Sequence, residues 1–166
     1  MRLASILAAA IVAAVSLAEP AASGETPPPF EAATLNQIRD AHQGAPLIIH
    51  FWGLTCSNCM AELTDWGAFA RAHPGATIVL VNWDQRGTRP EQIAPTLQKA
   101  GLGAVPSYAL GNGFEEKLRF AVSPDWMGEL PYTRLVAGDG TATTFSGAAD
   151  FAELDAWLTK KSQTSK

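Results

Sequence analysis

The sequence predicts a single α/β domain in which helices flank a central mixed β-sheet. Residues 47–52, Leu-Ile-Ile-His-Phe-Trp, form a nearly continuous apolar run without alternation, as expected of a strand covered on both faces. A helical stretch and a second apolar strand at residues 77–81 follow closely, which makes a right-handed strand–helix–strand crossover and hence parallel pairing. Near the end, residues 132–137 and 141–145 flank Gly138-Asp139-Gly140, a tight hairpin signal that adds antiparallel strands.

Composition agrees with one folded domain and removes several alternatives. The 166 residues are 47% hydrophobic and only 17% charged, which excludes a disordered chain and a heptad or collagenous fibre. Sixteen acidic and twelve basic side chains give a formal net charge of -4, and no basic block marks a nucleic-acid partner. Two cysteines are too few for a disulfide-stapled mini-fold or a four-cysteine zinc site, so they act as one pair.

Taken in order, residues 1–18 read as a signal peptide. Arg2 precedes a sixteen-residue apolar run that ends in Ser16-Leu17-Ala18, and as a helix this run rises only about 24 Å, short of the roughly 30 Å hydrocarbon core. The alternative is an uncleaved amino-terminal anchor, the one way in which the membrane would become a partner. No cysteine follows the run to accept a lipid, and export of a bacterial-looking chain means the periplasm, where a cysteine pair can cycle. Residues 19–29, ending in Pro27-Pro28-Pro29, read as a linker, and residues 30–166 as the domain.

Within the domain, Thr34 reads as the cap of a short helix carrying Leu35, Ile38 and Ala41, which ends near Gly44-Ala45-Pro46. After the 47–52 strand comes a helix over 57–73, with Met60, Leu63, Trp66 or Gly67, and Ala70 at helical spacing, stopped by Pro74-Gly75. A helix over 90–100, a short strand over 107–110 and a final helix over 150–159 complete the pattern, while residues 113–120 carry no decisive one.

The chemistry centres on Cys56-Ser57-Asn58-Cys59, where the buried strand hands over to a helix. Unpaired N–H groups and the positive end of the dipole at a helix start favour thiolate over thiol, which makes Cys56 the nucleophile. Cys59, one turn into the helix, is placed to attack a mixed disulfide at Cys56 and close the intramolecular bridge. A purely structural disulfide is the alternative, but a loop of two intervening residues stabilises little.

The run from Leu47 to Cys59 resembles the first buried strand and active-site turn of the thioredoxin superfamily. The export signal, the insertion before the last hairpin and Glu62, three residues after the second cysteine, are most similar to the periplasmic TlpA and ResA-like thiol-disulfide oxidoreductases. The resemblance spans roughly residues 34–159. It implies a thioredoxin-like fold, no cofactor, and disulfide exchange with cysteine-containing client proteins. Such proteins are often reductases serving cytochrome c or copper-site maturation, fed by a membrane thiol-disulfide electron donor. The chain departs from the family at two places that touch redox poise: Thr55 stands where Trp usually precedes the first cysteine, and Asn58 where Pro often precedes the second.

The resemblance also implies a cis-proline facing the cysteines. Pro131, immediately before the hairpin and terminal helix, is chosen over Pro106, which leaves too much chain after it. His50 occupies the place of the family's buried acid beneath the second cysteine, so a neutral imidazole there could accept the Cys59 proton; a hydrogen-bonded core histidine is the rival reading. Trp52 matches the tryptophan beside the site. Glu62 matches a family acid but reads more simply as a solvated or capping carboxylate. Trp66, Trp83, Trp126 and Trp157 read as packing or surface aromatics, and His42 and His73 carry no signal.

A Cu(I) metallochaperone is the competing function, since two thiolates with Met60 nearby suit that ion. Against it, copper chaperones of this fold resemble one another in a histidine near the domain end, and none follows His73 here. A peroxidase of the peroxiredoxin kind needs Thr where Gly53 stands.

Overall fold

Strand β2 (Leu47–Trp52) occupies the middle of a six-stranded sheet, and its even and odd residues serve opposite faces. In the computed structural model, residues 26–84 and 89–164 are described. The expected signal segment and most of the linker lie outside them. The remaining elements are β1 (Pro29–Phe30), α1 (Ala32–Ala41), α2 (Ser57–Ala72), β3 (Thr77–Asn82), a 3-10 turn (Pro90–Gln92) leading into α3 (Ile93–Lys99), β4 (Ser107–Leu110), α4 (Glu115–Val122), β5 (Tyr132–Val136), β6 (Ala142–Ser146) and α5 (Phe151–Thr164).

The sheet order is β1-β4-β3-β2-β5-β6. β1, β4, β3 and β2 pair in parallel, whereas β5 runs antiparallel to β2 and β6 antiparallel to β5. The sheet is therefore mixed, as the crossover and the hairpin require. The β5–β6 turn closes with Gly140 at φ +83°, a conformation glycine enters without steric cost, and Gly140 N–H donates to Ala137 O. Pro29 is tolerated in β1 because that strand is a two-residue edge, and Phe30 beside it is fully buried.

β2 is buried along its whole length because each side is covered. Ile48 and Trp52 join Ile78 and Leu80 of β3, Cys59, Leu63, Trp66 and Phe69 of α2, Ile93 and Leu97 of α3, and Leu154 and Leu158 of α5. Leu47, Ile49 and Phe51 face the other way, onto Phe30, Val79, Val81, Trp83, Trp126 and Tyr132 and the apolar stripes of α1 (Leu35, Ile38) and α4 (Leu118, Val122). On that second face Phe51, Trp83, Trp126 and Tyr132 form an aromatic cluster in which the Trp126 and Tyr132 rings stack, 4.5 Å apart and 11° from parallel, and the other pairs meet tilted or edge-on.

Two local expectations are corrected. Thr34 lies inside α1 and not at its start: the helix begins after Glu31, in extended backbone, and the Thr34 hydroxyl donates back to Pro29 O at 3.2 Å. Residues 113–120, which showed no decisive pattern, contribute to α4, whose inward positions Leu118 and Val122 recur at a spacing of four that eight residues are too few to display clearly.

Candidate active site

Cys56 is the N-cap of α2. Its backbone is extended (φ -91°, ψ 107°), and its sulfur accepts the Cys59 N–H at 3.1 Å. The two sulfurs are joined as a disulfide with Cα atoms 5.2 Å apart. Cys56 is half-buried while Cys59 is fully buried among Trp52, Leu63 and Trp66. The arrangement is asymmetric in the way exchange chemistry needs: one sulfur can be reached from outside and the other only through it.

The Leu130–Pro131 peptide is the cis bond among the described residues, so Pro106, the competing proline, precedes β4 in the ordinary trans form. Leu130 Cδ1 lies 3.2 Å from where a side chain on Gly53 would begin, so the residue before Pro131 packs directly against the turn that leads to Cys56. Pro131 O accepts Gly147 N–H at 2.8 Å, tying this loop to the end of β6.

Between β2 and α2 lies a buried polar group that the sequence only half revealed. His50 shares the α2 face of β2 with Ile48 and Trp52; it is fully buried, and its ring lies 4.3 Å from that of Trp66, tilted by 35°. Its Nδ1 is 3.0 Å from Thr133 Oγ1, and its Nε2 is 3.3 Å from Glu62 Oε1, within ion-pair reach but without the alignment of a hydrogen bond. Glu62 is not a solvated or capping carboxylate. It is buried on the inner face of α2, where Oε1 accepts Trp66 Nε1–H at 3.2 Å and Oε2 accepts the Ala149 amide at 2.8 Å.

Burial acts on this pair in opposite directions, because in each it penalises the charged form. It depresses the His50 imidazole to about 3. It pushes the Glu62 carboxyl above its ordinary value, with Asp65 adding to the rise and the Ala149 and Trp66 donors opposing it. Both shifts favour the uncharged form of each group, and they place the greater proton affinity of the pair on Glu62.

Ahead of Cys56, the Asp84 carboxylate receives the Leu54 and Thr55 amides and the Thr55 hydroxyl. Nothing local in the sequence announced Asp84, because its partners lie about thirty residues away. Among the described residues no group of three or more His, Cys, Asp or Glu side chains is arranged to hold a metal ion.

No protein-family profile and no curated protein matches the chain. Solved structures do. A secreted disulfide oxidoreductase of Mycobacterium tuberculosis superposes with a TM-score of 0.59 at 21% identity, covering 73% of this chain and 85% of that one. A thiol:disulfide interchange protein of the thioredoxin family from Chlorobium tepidum gives 0.60 at 16% identity, covering 74% and 83%. StoA from Bacillus subtilis gives 0.52 at 24% identity, covering 69% and 83%. The chain therefore has a thioredoxin-like fold, and its CxxC pair sits at the start of the helix that follows the central strand.

Proposed function

We propose that this chain is an exported thiol-disulfide oxidoreductase that reduces disulfides of client proteins, of the kind needed for cytochrome c or copper-site maturation. The observation that carries the reading is the asymmetric Cys56–Cys59 disulfide capping α2, with Cys56 half-buried and Cys59 fully buried.

In the reduced protein, the Cys56 thiolate attacks one sulfur of a client disulfide; that S–S bond breaks and the other client sulfur leaves as a thiolate. Cys59 then loses its proton and attacks Cys56 Sγ. The mixed disulfide breaks, the Cys56–Cys59 bond forms, and two electrons have passed to the client, which ends as two thiols once protonated. The Cys59 proton goes to the His50–Glu62 pair. Ionised Glu62 is its stronger base, since burial raises its proton affinity and lowers that of His50, while Thr133 holds the imidazole with Nε2 toward the carboxylate. Pro131 lines the client-facing side. The apolar run at residues 3–18 supports export to the periplasm, and the M. tuberculosis neighbour is itself described as secreted. A membrane thiol-disulfide donor would re-reduce the pair.

The test is equilibration against graded glutathione buffers with the redox state read by thiol trapping. A potential near about -270 mV supports the reductase, and one near about -120 mV makes the protein an oxidant.

A further inference from the structure

We propose that Asp84 is a positioning residue that clamps the approach to Cys56 through Leu54 and Thr55 and thereby holds down the reduction potential of the Cys56–Cys59 couple; this rests on the exchange activity proposed above.

The clamp is built from four donors converging on one buried carboxylate. Asp84 Oδ2 accepts Leu54 N–H at 2.5 Å and Asn82 Nδ2–H at 2.9 Å. Oδ1 accepts the Thr55 hydroxyl at 2.6 Å and the Thr55 N–H at 3.2 Å. Asn82 Oδ1 in turn accepts the Asp84 amide at 3.3 Å. An ionised carboxylate is acceptor-only, so every partner here is matched.

The base of the clamp is rigid. Asn82 is the last residue of β3 and pairs with Trp52, the last of β2, while Trp83 N–H donates to Trp52 O at 2.7 Å. Asp84 therefore extends from the point where the two central strands are locked together, and it grips Leu54 and Thr55, the two residues directly before the nucleophile. Cys56 N–H closes the turn by donating to Gly53 O at 3.3 Å. Gly53 is itself required: a Cβ there would stand 2.9 Å from Asp84 Oδ1 and 3.2 Å from Leu130 Cδ1. The clamp thus leaves no room for a side chain, and Thr55, which departs from the family's usual tryptophan, supplies its hydroxyl donor.

Two consequences have the same sign. A held loop keeps Cys56 Sγ near Cys59 Sγ, which favours the closed disulfide. A negative charge beside the peptides preceding Cys56 disfavours the thiolate, which raises the energy of the reduced form. Both make the couple more reducing.

The full-length protein and the variants Asp84→Asn, Thr55→Val and Thr55→Ser are each equilibrated with graded glutathione buffers and trapped, with circular dichroism and thermal melting recorded on the same samples. Asp84→Asn loses the charge and part of the clamp; its equilibrium constant for disulfide closure is expected to fall about tenfold, a rise of about 30 mV. Thr55→Val should move the same way by about threefold, and Thr55→Ser should match the parent, since the serine hydroxyl restores the bond. Folded Asp84→Asn and Thr55→Val proteins that titrate within twofold of the parent overturn the proposal. If Asp84→Asn does not fold, the Thr55 pair decides, and Val indistinguishable from Ser overturns it. A parent protein whose cysteines never equilibrate with glutathione removes the exchange activity itself, a different result from variants that exchange normally at the parent's potential.

Discussion

Replacing Glu62 with Gln should make the protein's stability fall more steeply with acid than the parent's does. Unfolded, His50 takes a proton near pH 6.5, whereas burial holds the native imidazole to about 3. A depressed imidazole favours the native state above its unfolded pKa, and that advantage is lost as pH falls, at about 1.4 kcal/mol per pH unit. A raised carboxyl does the reverse. Glu62, ordinarily near 4.5, keeps its proton in the native state after the unfolded chain has released it, so it favours folding at low pH and loses this as pH rises through its native value. Between pH 4.5 and 6.5 the two effects oppose each other: as pH falls the unfolded chain takes up a proton at His50 that the native state refuses, while native Glu62 takes one up before unfolded Glu62 does. Glu62→Gln removes the second effect alone. Across that window the variant should lose about 1.4 kcal/mol for each pH unit, and the parent less wherever native Glu62 has taken up its proton. Urea unfolding of the oxidised proteins at a series of pH values measures this, because shifts at Glu129 and Asp139 are common to both. A fixed offset is also expected, since an amide cannot accept from both Trp66 and Ala149. Parallel stability–pH curves would refute the reasoning, whatever the offset.

Three further outcomes are expected. Cys59→Ser should accumulate mixed disulfides between Cys56 and client proteins, visible as reducible higher-mass bands on gels, and an absence of such bands with a model disulfide protein would count against exchange at Cys56. Thr133→Val leaves His50 Nδ1 without its partner in a fully buried site and should cost about 1–3 kcal/mol in denaturant unfolding. Gly67→Ala places a methyl group 1.9 Å from the Ala100 carbonyl oxygen, on backbone that cannot swing away, and should lower stability by at least about 1–3 kcal/mol by thermal melting with no effect on which cysteine is trapped.

What could be read in the sequence follows the range of the interactions involved. β2, α2 and β3 were legible because apolar runs, helical spacing and the Pro74-Gly75 stop are local signals, and the hairpin because Gly138-Asp139-Gly140 is a turn in three residues. Cys56 and Cys59 were legible from spacing and place at the strand-to-helix junction. Glu62 was misread, because a carboxylate in a helix looks solvated until its acceptors' partners are known, and Ala149 lies 87 residues away. Asp84 was missed for the same reason, since its grip on Leu54 and Thr55 crosses from one strand end to another. Thr34 misled as a cap because it resembles one, although its hydroxyl answers Pro29 O.

The alternation of β2 divides the molecule's inheritance into two accounts. Ile48, His50 and Trp52 look toward the disulfide, whereas Leu47, Ile49 and Phe51 look toward an aromatic cluster that contains no thiol and, in β2, no ionisable group. Sequence drift or deliberate repacking at second-face positions other than Trp83, whose amide helps fix the base of the Asp84 clamp, can therefore retune thermal tolerance while leaving redox behaviour alone. Leu130, next to the cis peptide, packs against both clusters, so a change on the aromatic side that reaches it would be felt at the turn before the cysteines.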